Sequence, residues 1–68
     1  MKTSTRISKK HGAMQIVKGA QWAFWFDQNN SGVNGNWYPI TAKSIDYWMG
    51  KDSPLTKADK FWFDSALN

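Results

Sequence analysis

Basic and aromatic side chains are the residues of this chain whose types and positions suggest chemistry. Residues 1–18 contain four lysines, one arginine and no acid, whereas residues 19–68 contain four lysines and five aspartates. Lysine and arginine neutralise nucleic-acid phosphates, and tryptophan offers a flat face on which an unpaired base can stack. The pattern therefore predicts a nucleic-acid-binding surface. Its candidate contact residues are Arg6, Lys9, Lys10, Lys18, Trp25 and Trp37.

The same residue types allow other interpretations. All five tryptophans can serve as core material, and a basic terminus can be merely solvated. An exposed Trp/Tyr patch can also bind a protein, because aromatic residues and Arg are enriched in interface hot spots. Two functional classes therefore stay open: a nucleic-acid-binding module, and an accessory or inhibitor protein that docks on a larger protein. In its small size, lack of cysteine and aromatic richness, the chain resembles small phage-encoded proteins.

Catalytic and metal-binding residue types are scarce. The chain has one histidine, His11, and neither cysteine nor glutamate. Acid–base or nucleophilic catalysis needs a base within reach of its partner in a cleft, so we expect no enzyme and no small-molecule substrate. Residues 27–32 begin like a calcium-binding loop, but Tyr38 stands where an EF-hand requires a bidentate Glu. We therefore expect no metal and no cofactor.

The length of 68 residues limits the protein to one domain with a small core. Without disulfides, dense aromatic packing is the remaining source of stability. The absence of cysteine fits a cytoplasmic protein. No apolar run reaches the roughly 20 residues that span a membrane, and no apolar segment follows the basic N-terminus as in a signal peptide. We therefore expect a cytoplasmic location and no membrane partner.

The local patterns predict strands in the first part of the chain. Residues 1–12 are predicted to be a basic flexible arm, with a short strand near residues 5–8 as the alternative, and residues 13–68 a single compact domain. Residues 13–18, 21–27 and 37–40 favour strands. Alternation over residues 21–27 places Trp22, Phe24 and Phe26 on one face and Trp25 on the other.

Turn signals complete the predicted sheet. Pro39 predicts that the last strand lies at an edge, because proline donates no ladder hydrogen bond. Asn34 and Gly35 favour a type I′ hairpin turn, and Ser31 and Gly32 form the competing turn signal.

The C-terminal third changes to a helical period. Thr41 is a predicted N-cap, and Gly50 a predicted C-terminal cap in the left-handed conformation. A second helix is predicted to begin at Ser53 and Pro54.

Within that second helix, the pattern predicts Phe61 and Trp62 inward, Phe63 flanking or exposed, and Asp59 on the polar face. The alternative is a final strand over residues 60–65. The predicted fold is α+β: a small antiparallel sheet of two or three strands packed against two C-terminal helices.

Overall fold

Four strands and then two helices follow one another in the computed structural model, which describes residues 2–68. The elements are β1 (Lys2–Ser8), β2 (Gly12–Lys18), β3 (Ala23–Phe26), β4 (Asn36–Pro39), α1 (Ala42–Met49) and α2 (Lys57–Leu67). The strands form one antiparallel sheet in the order β1-β2-β3-β4. The α+β class with C-terminal helices and the edge position of β4 are confirmed, and the sheet has four strands instead of two or three.

The additional strand, β1, comes from the basic segment that was predicted to be a flexible arm. It pairs with β2 along its whole length, from Lys2↔Lys18 to Ser8↔Gly12. Gly12 adopts a positive φ of 72°, a conformation that glycine reaches without strain. The arm prediction was wrong because β1 pairs with β2 along its whole length. Its Arg6 and Ser8 side chains also bond to Asp59 of α2, a distant contact that no local pattern reveals.

The core lies between the helices and one face of the sheet, here called the inner face. Phe24 of β3 and Phe63 of α2 are fully buried. Phe24 packs edge-to-face against Phe63 and Trp48, each with ring centroids 5.0 Å apart. The buried apolar residues are Met14, Ile16, Phe24, Phe26, Trp48, Leu55 and Phe63. Aromatic packing is therefore the main content of the core, as the composition predicted.

Helix α1 begins at the predicted cap. The Thr41 hydroxyl accepts a hydrogen bond from the Ser44 amide at 3.1 Å, and the Ser44 hydroxyl accepts one from the Thr41 amide at 2.8 Å. This reciprocal capping box satisfies two amides at the helix start. The helix ends at Gly50 as predicted, but with φ −78° instead of the left-handed conformation. A β-carbon there would lie 2.9 Å from the Asp46 carbonyl oxygen, so close backbone approach favours glycine.

Helix α2 begins later than predicted. Its N-cap is Thr56, whose hydroxyl accepts from the Asp59 amide at 3.2 Å, while the Asp59 carboxylate accepts from the Thr56 amide at 3.4 Å. The Ser53 hydroxyl instead accepts from the Leu55 amide before the helix. A Thr-x-x-Asp capping box therefore sets the start of α2, in place of the predicted Ser-Pro signal.

The rotation of α2 also differs from the prediction. Phe61 is 76% exposed, Phe63 is buried and Trp62 is partly buried. Asp59 is 1% exposed, although it was predicted to lie on the polar face. Because residues four apart share a helix face, the inward placement of Asp59 also turns Phe63 inward and Phe61 outward.

The loop over residues 27–35 connects β3 to β4. The buried Asp27 carboxylate accepts hydrogen bonds from the Gly32 amide at 2.8 Å and the Ser31 hydroxyl at 3.1 Å. Burial works against ionisation, but these hydrogen bonds outweigh it and lower the pKa of Asp27. Positive φ occurs at Asn30 and Gly32 and at neither Asn34 nor Gly35, so the predicted type I′ turn was wrong.

Candidate nucleic-acid interface

The sheet face opposite the helices, here called the outer face, carries a tryptophan pair. Trp25 of β3 and Trp37 of β4 are directly paired in the ladder. Their ring centroids lie 5.6 Å apart with the planes tilted by 57°. Trp37 is 50% exposed and Trp25 partly buried. The predicted outward placement of Trp25 is confirmed, because its neighbour Phe24 points into the core.

Gly35 fixes the position of Trp25 on this face. A β-carbon at Gly35 would clash with the six-membered ring of the Trp25 indole. The absence of a side chain therefore lets the indole lie across the start of β4. Gly35 was predicted only as a turn residue, since nothing local to the loop indicates an aromatic contact from another strand.

A third tryptophan extends the pair. Trp22 directly precedes β3, is 39% exposed and lines one hollow together with Trp37. The Lys18 ammonium lies 4.9 Å from the centre of the Trp22 ring, within the range of a cation–π contact. We call Trp22, Trp25 and Trp37 the tryptophan face.

A shallow hollow separates two of these indoles. Its volume is about 190 Å³, and its lining residues are Gln21, Trp22, Ala23, Trp37, Tyr38 and Pro39. The hollow therefore has aromatic surface from two different segments and one side-chain amide at its rim. Lys18 adds a positive charge beside Trp22.

Lys9 and Lys10 lie away from the tryptophan face. Both are exposed in the turn between β1 and β2. Thr5 lies in the same row of the sheet as Trp25, because both pair with Gln15. Lys9 follows Thr5 by four residues, which corresponds to about 13 Å along the strand. A bound nucleic-acid strand would have to extend over several nucleotides to contact both the tryptophan face and the two lysines.

Arg6 does not belong to the outer face. Its side chain points to the helices and its Nε donates to Asp59 Oδ1 at 2.8 Å. Within residues 2–68 this is the sole ion pair, and the Arg6 side chain is 29% exposed. The predicted role of Arg6 in phosphate binding is therefore replaced by a structural one: it joins β1 to α2.

The Asp59 carboxylate is the centre of this junction. Besides Arg6, it accepts from the Ser8 hydroxyl at 2.9 Å and from the Thr56 amide. The Ser8 hydroxyl in turn accepts from the amides of Lys10 and His11. Burial opposes the charge of the carboxylate, but these donors outweigh it, so the pKa of Asp59 lies below its ordinary value of 3.8.

His11 is a further buried polar residue. Its Nδ1 lies 2.9 Å from the Gln28 carbonyl oxygen, and its Nε2 lies 3.0 Å from the Pro54 carbonyl oxygen. The ring is 1% exposed and packs edge-to-face on Phe26. His11 therefore links the β1–β2 turn to two other segments and does not face the surface.

Charge is unevenly distributed between the two layers. The exposed carboxylates belong to α1, α2 and the segment between them, at Asp46, Asp52 and Asp64. The two aspartates that lie next to the sheet strands, Asp27 and Asp59, are both buried. The lysines at the two ends of the β1–β2 hairpin are Lys2, Lys9, Lys10 and Lys18. The sheet layer therefore presents lysines without exposed carboxylates.

Residues 2–68 contain neither a cluster of metal-ligating side chains nor a membrane-spanning helix. No three of the His and Asp side chains there come together as a metal site. Neither helix in that part of the chain has the length and apolar character needed to cross a membrane.

Of the predicted contact residues, Trp25 and Trp37 meet on the outer face. Lys18 ends β2 in the same row as the buried Met14 and Ile16, and its ammonium contacts Trp22. Lys9 and Lys10 lie at a distance, and Arg6 belongs to the fold. No protein-family model, curated protein or solved structure matches this chain.

Proposed function

We propose that this protein is a small, non-enzymatic module that binds single-stranded nucleic acid on the outer face of its sheet. The observation that carries the proposal is the tryptophan face: the paired indoles of Trp25 and Trp37 on a sheet surface that no helix covers, with the exposed Trp22 across a hollow from Trp37. Unpaired bases stack on exposed aromatic rings with little dependence on sequence, and each stack contributes about 1–3 kcal/mol. A duplex keeps its bases stacked inside and would not use such a face.

The lysines supply the electrostatic part of the proposal. Lys18 lies beside Trp22, where it can reach the phosphate of a nucleotide whose base is stacked there. Lys9 and Lys10 are exposed and form no ion pair within residues 2–68. Each lysine that neutralises a phosphate of a single strand contributes about 0.7 to the slope of log affinity against log salt.

The architecture is compatible with this mode of binding. A four-stranded antiparallel sheet with helices on one face and aromatic residues on the other is also how RNA recognition motifs present stacking residues to single-stranded RNA. The strand order and connections here are different, so the likeness concerns only the use of an open sheet face.

A second function is favoured by the composition of the outer face. The outward residues of β1 and β2 are uncharged, and Ile7 is 73% exposed. An uncharged surface with exposed tryptophans is also suited to docking on a protein, where aromatic residues act as anchors. Salt distinguishes the two functions, because phosphate binding weakens steeply with salt and an apolar protein interface does not.

The test is a fluorescence titration with single-stranded and duplex oligonucleotides at two salt concentrations. Trp37→Ala should weaken binding of the single strand by about 5- to 150-fold, the equivalent of one lost stack. Replacing Lys9 and Lys10 with Gln should weaken binding at low salt and reduce the salt slope by up to about 1.4, two phosphate contacts at 0.7 each.

Phe61→Ala is the matched control, because Phe61 is an exposed aromatic residue on the helical layer. The Phe61→Ala variant should bind the single strand with the affinity of the wild type. Failure of the wild type to bind any single strand more tightly than about 100 μM at low salt would exclude the nucleic-acid function. Protein docking would then be the remaining proposal.

A further inference from the structure

A second concave surface lies between β4, α1 and the segment before α2. It is a groove of about 420 Å³, and its lining includes Tyr38, Pro39, Lys43, Tyr47, Trp48 and Pro54. The groove shares Tyr38 and Pro39 with the hollow between Trp22 and Trp37. Its lining includes none of the three tryptophans of the tryptophan face, so an inference from it does not depend on nucleic-acid binding.

Three aromatic rings give the groove a rigid apolar surface. Trp48 is 5% exposed and is held from below by edge-to-face contacts with Phe24 and Phe26. Tyr38 and Tyr47 stand on either side of it, with ring centroids 5.4 Å and 5.0 Å from that of Trp48. Tyr38 is 36% exposed and Tyr47 51% exposed. Both phenols are thus open to a ligand.

Pro54 extends this surface on the side of the α1–α2 segment. The His11 Nε2 lies 3.0 Å from its carbonyl oxygen, which fixes the backbone of the segment against the sheet. The groove is therefore lined by residues whose positions are fixed by contacts with buried side chains of the core.

We propose that this groove binds an extended, proline-containing peptide segment that carries an acidic residue. Proline-rich segments adopt the polyproline II conformation without internal hydrogen bonds, and they dock on aromatic-lined grooves at a low entropic cost. The tyrosine hydroxyls can donate to the exposed carbonyl groups of such a segment. Pro39, in the edge strand β4, lacks the amide that an added β-strand would use, which disfavours a strand as the occupant.

Charge complementarity specifies the acidic residue. Lys43 is the only charged residue in the lining of the groove. It is exposed, and it has no ion-pair partner within residues 2–68. The amides of Thr41 and Ser44 at the start of α1 are occupied by their own capping box. The Lys43 ammonium is therefore the group that an acidic side chain of the peptide would contact.

The experiment uses three peptides of about ten residues, a length that spans a polyproline II groove of this kind. The first repeats Pro-Pro-Ala and ends in Asp, the second ends in Lys instead, and the third replaces the prolines with Gly and Ser but keeps the Asp. Binding to the full chain is measured by ¹H–¹⁵N NMR, with the indole N–H of Trp48 as the reporter for the groove. Analytical ultracentrifugation monitors self-association.

The wild type should bind the Asp peptide about fivefold or more tightly than the Lys peptide and show no saturable shift with the Gly/Ser peptide. Lys43→Glu should reverse the charge preference. Tyr47→Ala should weaken binding about tenfold or more, and the control Phe61→Ala should have no effect. Reversal of the preference by a substitution at an exposed position cannot result from unfolding.

Three results would overturn the proposal. One is the absence of a Trp48 shift at about 5 mM Asp peptide, beyond the range of specific weak binding. Another is a charge preference that Lys43→Glu leaves unchanged. The third is a shift of Trp48 with protein concentration alone, which would show that a second copy of the chain occupies the groove.

Discussion

Replacement of Asp59 by Asn should destabilise the fold strongly, although the side chain keeps its shape. The carboxylate is 1% exposed and accepts from Arg6, Ser8 and Thr56. Loss of the capping interaction costs about 1 kcal/mol. Breaking a buried ion pair costs about 3–5 kcal/mol, but Arg6 is 29% exposed and its released charge regains water. We therefore expect a total loss of about 2–3 kcal/mol, a large part of the stability of so small a domain.

Urea denaturation followed by tryptophan fluorescence measures this loss, and Asp64→Asn is its matched control. Asp64 lies on the same helix but is exposed, so its replacement should change the free energy of unfolding by less than about 0.5 kcal/mol. Equal stability of the two variants would refute the assignment of Asp59 as the junction between β1 and α2.

Acid titration tests the same junction in another way. Because the pKa of Asp59 is lower in the folded chain than its ordinary value of 3.8, the ionised carboxylate stabilises the fold at higher pH. This contribution is lost as the pH falls below that ordinary value and through the folded-state pKa. The free energy of unfolding of Asp59→Asn should therefore fall less over this range than that of the wild type. The lowered pKa of Asp27 acts in the same direction and remains in the variant.

Four further substitutions test the packing. Phe24→Ala should cost about 3–5 kcal/mol in a urea melt, because the ring is fully buried, while Trp62→Ala should cost less because the indole is only partly buried. Gly35→Ala should displace the Trp25 indole, visible as a changed near-ultraviolet circular dichroism spectrum with unchanged far-ultraviolet signal. His11→Ala should lower the free energy of unfolding by about 2–4 kcal/mol, since it removes a buried ring packed on Phe26 and an N–H donor to a backbone carbonyl group; a melting temperature equal to that of the wild type would contradict this.

Local sequence patterns were sufficient to predict the structure at positions where neighbouring residues determine it. Alternation over β3 placed Trp25 opposite Phe24 because side chains of a strand point to alternate faces. Thr41 was identified as an N-cap because its side chain bonds to an amide only three residues away. The position of Pro39 at an edge followed from its missing amide.

Contacts between distant segments explain the predictions that failed. Arg6 and Asp59 are 53 positions apart, and their pairing joins β1 to α2. The same pairing places an acidic residue on the inner side of α2 and so reverses the expected orientations of Phe61 and Phe63. In the candidate site, Trp22 and Gly35 were missed for a related reason, because their roles arise from indole contacts between different segments.

The NMR signals of the five tryptophan indoles provide the most direct test of the proposed function. A single-stranded oligonucleotide is added at low salt, and the indole N–H signals are followed in one ¹H–¹⁵N spectrum. Stacking on the outer face should shift the signals of Trp22, Trp25 and Trp37 and leave those of Trp48 and Trp62 nearly unchanged. Shifts confined to Trp48 and Trp62, or no shift at about 1 mM oligonucleotide, would contradict nucleic-acid binding on the tryptophan face.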